Sequence, residues 1–234
     1  KEAEFPLDSA QFRDLSKKLP VDYDKPILWL PKAGDVDNSS GGQVWVTSDK
    51  WGPFKGDLLH LSYGGSSMFK VMTEEVGGQV QGGAWKFPFK FDSGMMRGRF
   101  SPTDGQLYLC GLVVWQSNGG KKGAFQRVRY TGKPVNAPKE LHIQPNGVEI
   151  TFTDPLDESL AKDEQSYGIE QWNYRWTTGY GSKEFSVASP EQMKHDPVAI
   201  KSVKVSADKK KVFLEIPGLQ PVMQMRVKLN LKGA

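Results

Sequence analysis

Residues 96–110 read Met-Arg-Gly-Arg-Phe-Ser-Pro-Thr-Asp-Gly-Gln-Leu-Tyr-Leu-Cys; a glycine-rich turn and then Ala124-Phe125-Gln126-Arg127-Val128-Arg129-Tyr130 follow. The stretch holds a short strand, a Pro-Thr-Asp-Gly turn, a strand with apolar residues at every second position, a glycine loop and a closing strand. That is the pattern of a β-propeller blade. A blade buries its faces against neighbours, and the ring of blades must close. Blades take roughly 40–50 residues each, so the region before the second domain has room for about two. The chain therefore reads as a piece of a longer protein.

Working outward, the same period-2 alternation recurs between turn residues. Strands are expected at 27–30, 43–47, 57–62 and 67–73 as one four-stranded meander, and at 77–85, 94–100, 106–112 and 124–130 as a second. The turns carry suitable chemistry in Ser39-Ser40-Gly41-Gly42, Gly64-Gly65, Gly77-Gly78, Gly82-Gly83, Asp104-Gly105 and Gly119-Gly120. Residues 131–138 form a linker by composition. Beyond it, longer strands at 142–145, 147–152, 167–174, 199–206, 211–215 and 223–231 suggest an immunoglobulin-like β-sandwich. A short helical crossing is expected at 159–163. The polar segment 179–197, which holds His195, reads as a long excursion between strands, either a surface loop or a binding loop. The expected organisation is an all-β chain: a strap or linker at 1–26 with a weak helical pattern at 9–19, propeller blades at 27–131 and the sandwich at 132–234.

Composition narrows the function classes. The chain has 234 residues, 38% of them hydrophobic, with seven Trp and twelve Phe, which is enough for a substantial core. Charged residues at 25% argue against disorder. The net charge of +4 is mild, and its one cluster, Lys209-Lys210-Lys211, sits in a hairpin turn, so nucleic acid is not an expected partner. Cys110, the single cysteine, lies within an apolar strand and permits no internal disulfide. No apolar run approaches the ~18–20 residues of a membrane span. The start, Lys1-Glu2-Ala3-Glu4-Phe5, lacks a signal peptide's apolar run and an initiating Met, which fits a processed or excised segment.

Three runs carry a family resemblance: Asn38-Ser39-Ser40-Gly41-Gly42-Gln43-Val44-Trp45, Gly56-Asp57-Leu58-Leu59-His60-Leu61-Ser62-Tyr63-Gly64, and 97–109. They resemble the last blades of the quinoprotein glucose/sorbosone dehydrogenase propeller, as found in large multi-domain proteins of planctomycete-type bacteria. The run Gly147-Val148-Glu149-Ile150-Thr151-Phe152-Thr153-Asp154-Pro155-Leu156-Asp157, with Tyr167 and Gln171-Trp172-Asn173-Tyr174, is similar to the Ig-like segment that follows that propeller. The resemblance covers roughly residues 27–231. It implies an exported, periplasmic or extracellular protein whose complete form oxidises a sugar or alcohol, with pyrroloquinoline quinone and calcium in the propeller funnel and a cytochrome c domain commonly attached. Last-blade arginines of the family grip the quinone carboxylates, and Arg97, with Arg99 beside it, matches that position. A guanidinium suits the task because it stays charged and binds bidentately. The family's lysine after the Leu-Leu strand is replaced here by Gly64, and the blade bearing the catalytic histidine has no counterpart.

Other candidates come from residue chemistry. The alternative for Arg97 and Arg99 is a pair of solvent-facing or inter-blade structural arginines. Asp35 and Asp37 could offer calcium oxygens from one loop, although Asp-rich turns also arise for backbone reasons. Trp51 and Trp115 fall in expected turns and could form a sugar-stacking platform, where core packing is the alternative. No Cys-x-x-Cys-His haem motif occurs. The expectation is a C-terminal segment that contributes its blades and sandwich to a sugar-oxidising or sugar-binding assembly. It would be inactive alone and would partner the remainder of the propeller. A non-catalytic carbohydrate- or protein-binding module is the alternative.

Overall fold

Four antiparallel sheets make up the structure, a computed structural model that describes residues 15, 24–31, 36–178 and 181–231. The chain is all-β, as expected. The first sheet is a meander of β1 (Ser40–Trp45), β2 (Leu58–Ser62), β3 (Ser67–Val76) and β4 (Gln79–Lys86) in sequential order. The second holds β5 (Gly94–Phe100), β6 (Leu107–Leu112) and β7 (Gly123–Val128). Two further sheets form a sandwich. β8 (Pro138–Gln144), β9 (Gly147–Phe152), β12 (Ser202–Val205) and β13 (Lys211–Glu215) pair in the order β12-β13-β9-β8. β10 (Tyr167–Trp172), β11 (Asp196–Val198) and β14 (Gln224–Leu229) pair as β11-β10-β14.

The stretch at 96–110 folds as its pattern requires. Leu107 and Leu109 point into the core while Tyr108 and Cys110 point away. The turn between β5 and β6 closes with Ser101 N–H donating to Gln106 O at 2.9 Å, and Gly105 takes a φ of 69° that favours glycine.

The division into meanders differs from expectation. Gly77 and Gly78, at φ 59° and 79°, form a two-residue hairpin that joins β3 to β4, with Val76 opposite Gln79. Positive φ at both positions matches the right-handed twist of the flanking strands. Residues 79–86 therefore close the first sheet instead of opening the second, which keeps three strands among the described residues. Residues 27–30 are not a strand. The helical pattern at 9–19, apart from Leu15, and Asp35 lie outside the described residues.

The first two sheets pack face to face. Leu59, Leu61 and Met68 meet Met95, Leu107 and Leu109, and the short 3-10 segment Asp49–Phe54 adds Trp51 and Phe54 to this core. In the sandwich, Val148, Ile150, Val212 and Leu214 from one sheet enclose Tyr167 and Ile169 from the other. The chain changes sheet between β9 and β10, through α1 (Glu158–Lys162), and again between β11 and β12 and between β13 and β14. Asp157 caps α1 by accepting from the Ser159 and Leu160 amides. These crossings carry the chain back and forth between the two antiparallel sheets of the sandwich.

The halves touch through β8, which lies against β3 and β4. Lys70, buried in β3, donates to Lys139 O at 2.5 Å; Lys139 in turn donates to Pro53 O at 2.6 Å and to Asp57 Oδ1 at 3.0 Å. Burial chiefly pulls the Lys70 ammonium below its ordinary range, and the Asp57 carboxylate opposes that pull. Glu74 accepts from the Ile143 amide at 2.9 Å and pairs with His142 at 2.6 Å.

Candidate functional site

β1 and β5, edge strands of adjacent sheets, run close together, and a cleft of about 330 Å³ opens between them. It is lined by Gly41, Gly42, Gln43, Met96, Arg97 and Arg99. Glycine is required at the first of these positions, because a Cβ on Gly41 would lie 2.0 Å from Met95 O. Met96 is the extra residue of a bulge between Met95 and Arg97, and such bulges re-aim the side chains beside them. Arg97 donates from Nη1 to Gly41 O at 3.0 Å and to Met96 O at 2.7 Å, and Arg99 donates to Gly98 O at 2.7 Å. Both guanidiniums keep further N–H groups free of the bonds described. The structure thus brings together the two arginines singled out in the sequence.

Beneath Gln43 lies a polar hub that the sequence did not reveal. His60 is 5% exposed and Asp37 6% exposed. His60 Nε2 sits 2.6 Å from Asp37 Oδ2, and Ser62 Oγ donates to Asp37 Oδ1 at 2.6 Å. The Ser39 amide and Ser40 Oγ also donate to the same carboxylate, at 3.0 and 3.2 Å. Asp37 therefore ties the segment before β1 to β2. Its oxygens are engaged with donors, whereas a calcium ligand would face an open site, so the calcium role expected of Asp37 gives way to a structural one. His60 contacts Gln43 at 3.4 Å but is itself sealed from the cleft.

The two tryptophans part company. Trp51 is 2% exposed and packs edge-on against Phe100 at 5.1 Å and Phe54 at 6.4 Å. Neither ring face is free, which corrects the sugar-stacking expectation for Trp51. Trp115 is 63% exposed and leans on Tyr63 at 5.6 Å, while the Tyr63 hydroxyl donates to Trp115 O at 2.6 Å and accepts from the Val114 and Trp115 amides. Its ring is held outward on an anchored loop.

A second polar cluster occupies the sandwich. His195 stacks on Trp172 with centroids 3.9 Å apart and planes 11° apart. Its ring nitrogens lie 3.0 Å from Glu170 and 2.5 Å from Glu184. Lys228, Arg226 and His195, in that order of strength, hold the Glu170 carboxyl down to about 2. Asp196 accepts from Ser186 Oγ and from the Val187 and Ala188 amides, pinning the excursion to the start of β11. The charged side chains named here are paired with one another, so the cluster is a strut for the loop.

The cleft tests the quinone expectation. Two guanidiniums, a Gln amide and Cβ-free backbone make a slim lining rich in donors, which fits an anion bearing carboxylates. Calcium finds no such fit: among the described residues no three of His, Cys, Asp and Glu converge as metal ligands. No residue in the cleft has the chemistry of a general base. Among the described residues no helix is long and apolar enough to cross a membrane. Searches for similar proteins found no matching family model, no matching curated protein and no matching solved structure.

Proposed function

We propose that this chain supplies the last blades and an Ig-like domain to an exported quinoprotein sugar-dehydrogenase-like assembly, and that it does not turn over alone. The observation that carries the reading is the Arg97–Arg99 pair in the cleft between two adjacent edge strands. Bound in that cleft, the quinone would supply hydride-accepting chemistry. The chain's own contribution is positioning: Arg97, held by two backbone carbonyls, presents its remaining N–H groups as a fixed fork, and Arg99 adds a second charge. The base, the calcium ligands and the electron-accepting cytochrome belong to the rest of the assembly.

The test is a fluorescence titration of the natively purified protein with pyrroloquinoline quinone. Arg97→Ala is expected to weaken binding about 10- to 100-fold, the worth of a hydrogen bond to a charged group. Equal affinity in both proteins removes the quinone role.

The exposed, anchored ring of Trp115 favours a second reading, a carbohydrate-binding module without redox chemistry. Affinity electrophoresis in a neutral polysaccharide gel would show retardation that Trp115→Ala abolishes. Unchanged mobility of the starting protein removes this reading.

A further inference from the structure

Gln171 takes a position on β10 that the strand otherwise fills with apolar side chains. Tyr167, Ile169 and Gln171 alternate into the sandwich and are buried, while Gly168 and Glu170 between them are less so. Register sets Gln171 between Asp196 of β11 and Met225 of β14. The residue is 8% exposed, and among the described residues its Oε1 finds no donor. A buried acceptor without a donor is destabilising, and native proteins keep few of them. The carboxamide borders a pocket of about 330 Å³ walled by Pro197, Val198, Ile200 and Pro217. Val198 and Ile200 pack on the sandwich core, and the pocket sits where the chain passes from β11 to β12 and leaves β13. Lys201 is the one charged residue of the lining, and its ammonium is engaged, donating to Glu215 Oε1 at 2.7 Å.

An apolar pocket with one convergent polar group is the form that small-molecule sites take, and this volume lies at the small end of their range of ~300–1,000 Å³. That size suits a single ring or one amino-acid-sized group. With the Lys201 charge taken, nothing in the lining selects an ion, so the ligand is neutral. The missing partner of Oε1 is an N–H or O–H group. A half-turn about the last side-chain bond exchanges Oε1 and Nε2, so the carboxamide can offer the pocket an acceptor or a donor. An amide carries the complement of both on adjacent atoms. We propose that this pocket binds a small neutral ligand whose apolar body lies against Pro197, Val198, Ile200 and Pro217 and whose amide end pairs with the Gln171 carboxamide. A core residue that breaks its strand's pattern without a compensating bond marks a functional position. The pocket shares no residue with the cleft between β1 and β5, and binding here is independent of the quinone reading.

The test uses benzamide, which has the amide end, and methyl benzoate, which matches its shape but has no N–H. The whole chain is isotopically labelled, and each compound is titrated while the Gln171 side-chain amide and the Val198 and Ile200 backbone amides are followed by NMR. Benzamide is expected to shift these signals, with an affinity at least about tenfold above that of methyl benzoate, the worth of one hydrogen bond to a group otherwise left unpaired. Signals that benzamide leaves unmoved overturn the proposal and leave a resident water as the partner of Gln171. Equal affinity for the two compounds also overturns it, because the carboxamide then selects nothing. Gln171→Leu supplies the second measurement. It is expected to melt about 2–4 °C higher, since it removes the unpaired acceptor, and to lose the preference for benzamide. A variant that melts lower, or that still prefers benzamide, shows a structural carboxamide and overturns the site.

Discussion

Asp37→Ala is expected to cost about 3–5 kcal/mol, the loss typical when one partner of a buried pair is removed. The His60 ring, the Ser40 and Ser62 hydroxyls and the Ser39 amide all lose their acceptor together. His60 and Ser62 are buried, so water cannot replace the carboxylate without opening the sheet. A native stability of about 5–15 kcal/mol would leave the variant close to unfolding. Urea denaturation followed by tryptophan fluorescence measures the loss, and Asp37→Asn, which keeps the shape and one acceptor, should lose less. The effect depends on pH in a determined sense. Burial pushes the Asp37 carboxyl up, but hydrogen bonds from His60 and Ser62, the His60 charge and the Ser39 amide outweigh it and hold it below its ordinary value. A depressed folded value stabilises the native state above the unfolded one, about 3.9, and that contribution disappears as pH falls through the folded value. The gap between wild type and Asp37→Ala should therefore be full at neutral pH and shrink below about pH 4. A gap that widens in acid contradicts the hub.

Gly41→Ala should be the second severe change, at about 3 kcal/mol, the upper end of overpacking costs. The new methyl would sit 2.0 Å from Met95 O and 3.1 Å from Leu61 O, and neither is a side chain that can turn aside. β1 and β5 must separate, and Arg97 would lose its bond to Gly41 O. Both thermal stability and the cleft should suffer. Gly120→Ala is the control: nothing lies within 4 Å of its would-be Cβ and its φ is ordinary, so its effect should stay within about 0.5 kcal/mol. Equal stability of the two variants would falsify the close approach of the strands.

Local features were legible in the sequence and long-range ones were not. Leu107, Tyr108, Leu109 and Cys110 announce their strand and both of its faces, because side-chain alternation is a property of the backbone. Gly77-Gly78 was recognisable as a turn, but a turn does not say which strands it pairs; only the positive φ at both glycines made it a tight hairpin. Trp51 and Trp115 look alike in sequence, each amid turn-forming residues. Phe54 and Phe100 decide that Trp51 goes inside, and Tyr63 decides that Trp115 stays out. Arg97 was singled out by its match to the resembled family's last-blade arginine, and Arg99 because two positions apart on one strand share a face. The Asp37–His60 hub spans 23 residues, and His195 meets Glu170 across 25. Neither spacing has a motif, so those partners became visible only once the strands were laid side by side.

Strand β8 belongs by hydrogen bonding to the sandwich and by packing to β3 and β4. Melting the first sheet would strip the cover from β8, leaving the Lys139 ammonium, the His142 ring and the Ile143 amide without their partners across the boundary. Melting the sandwich would in turn uncover Lys70. The chain is therefore expected to unfold as one cooperative unit in a single calorimetric transition, although its strand pattern divides it in two, and two resolved transitions would contradict that coupling.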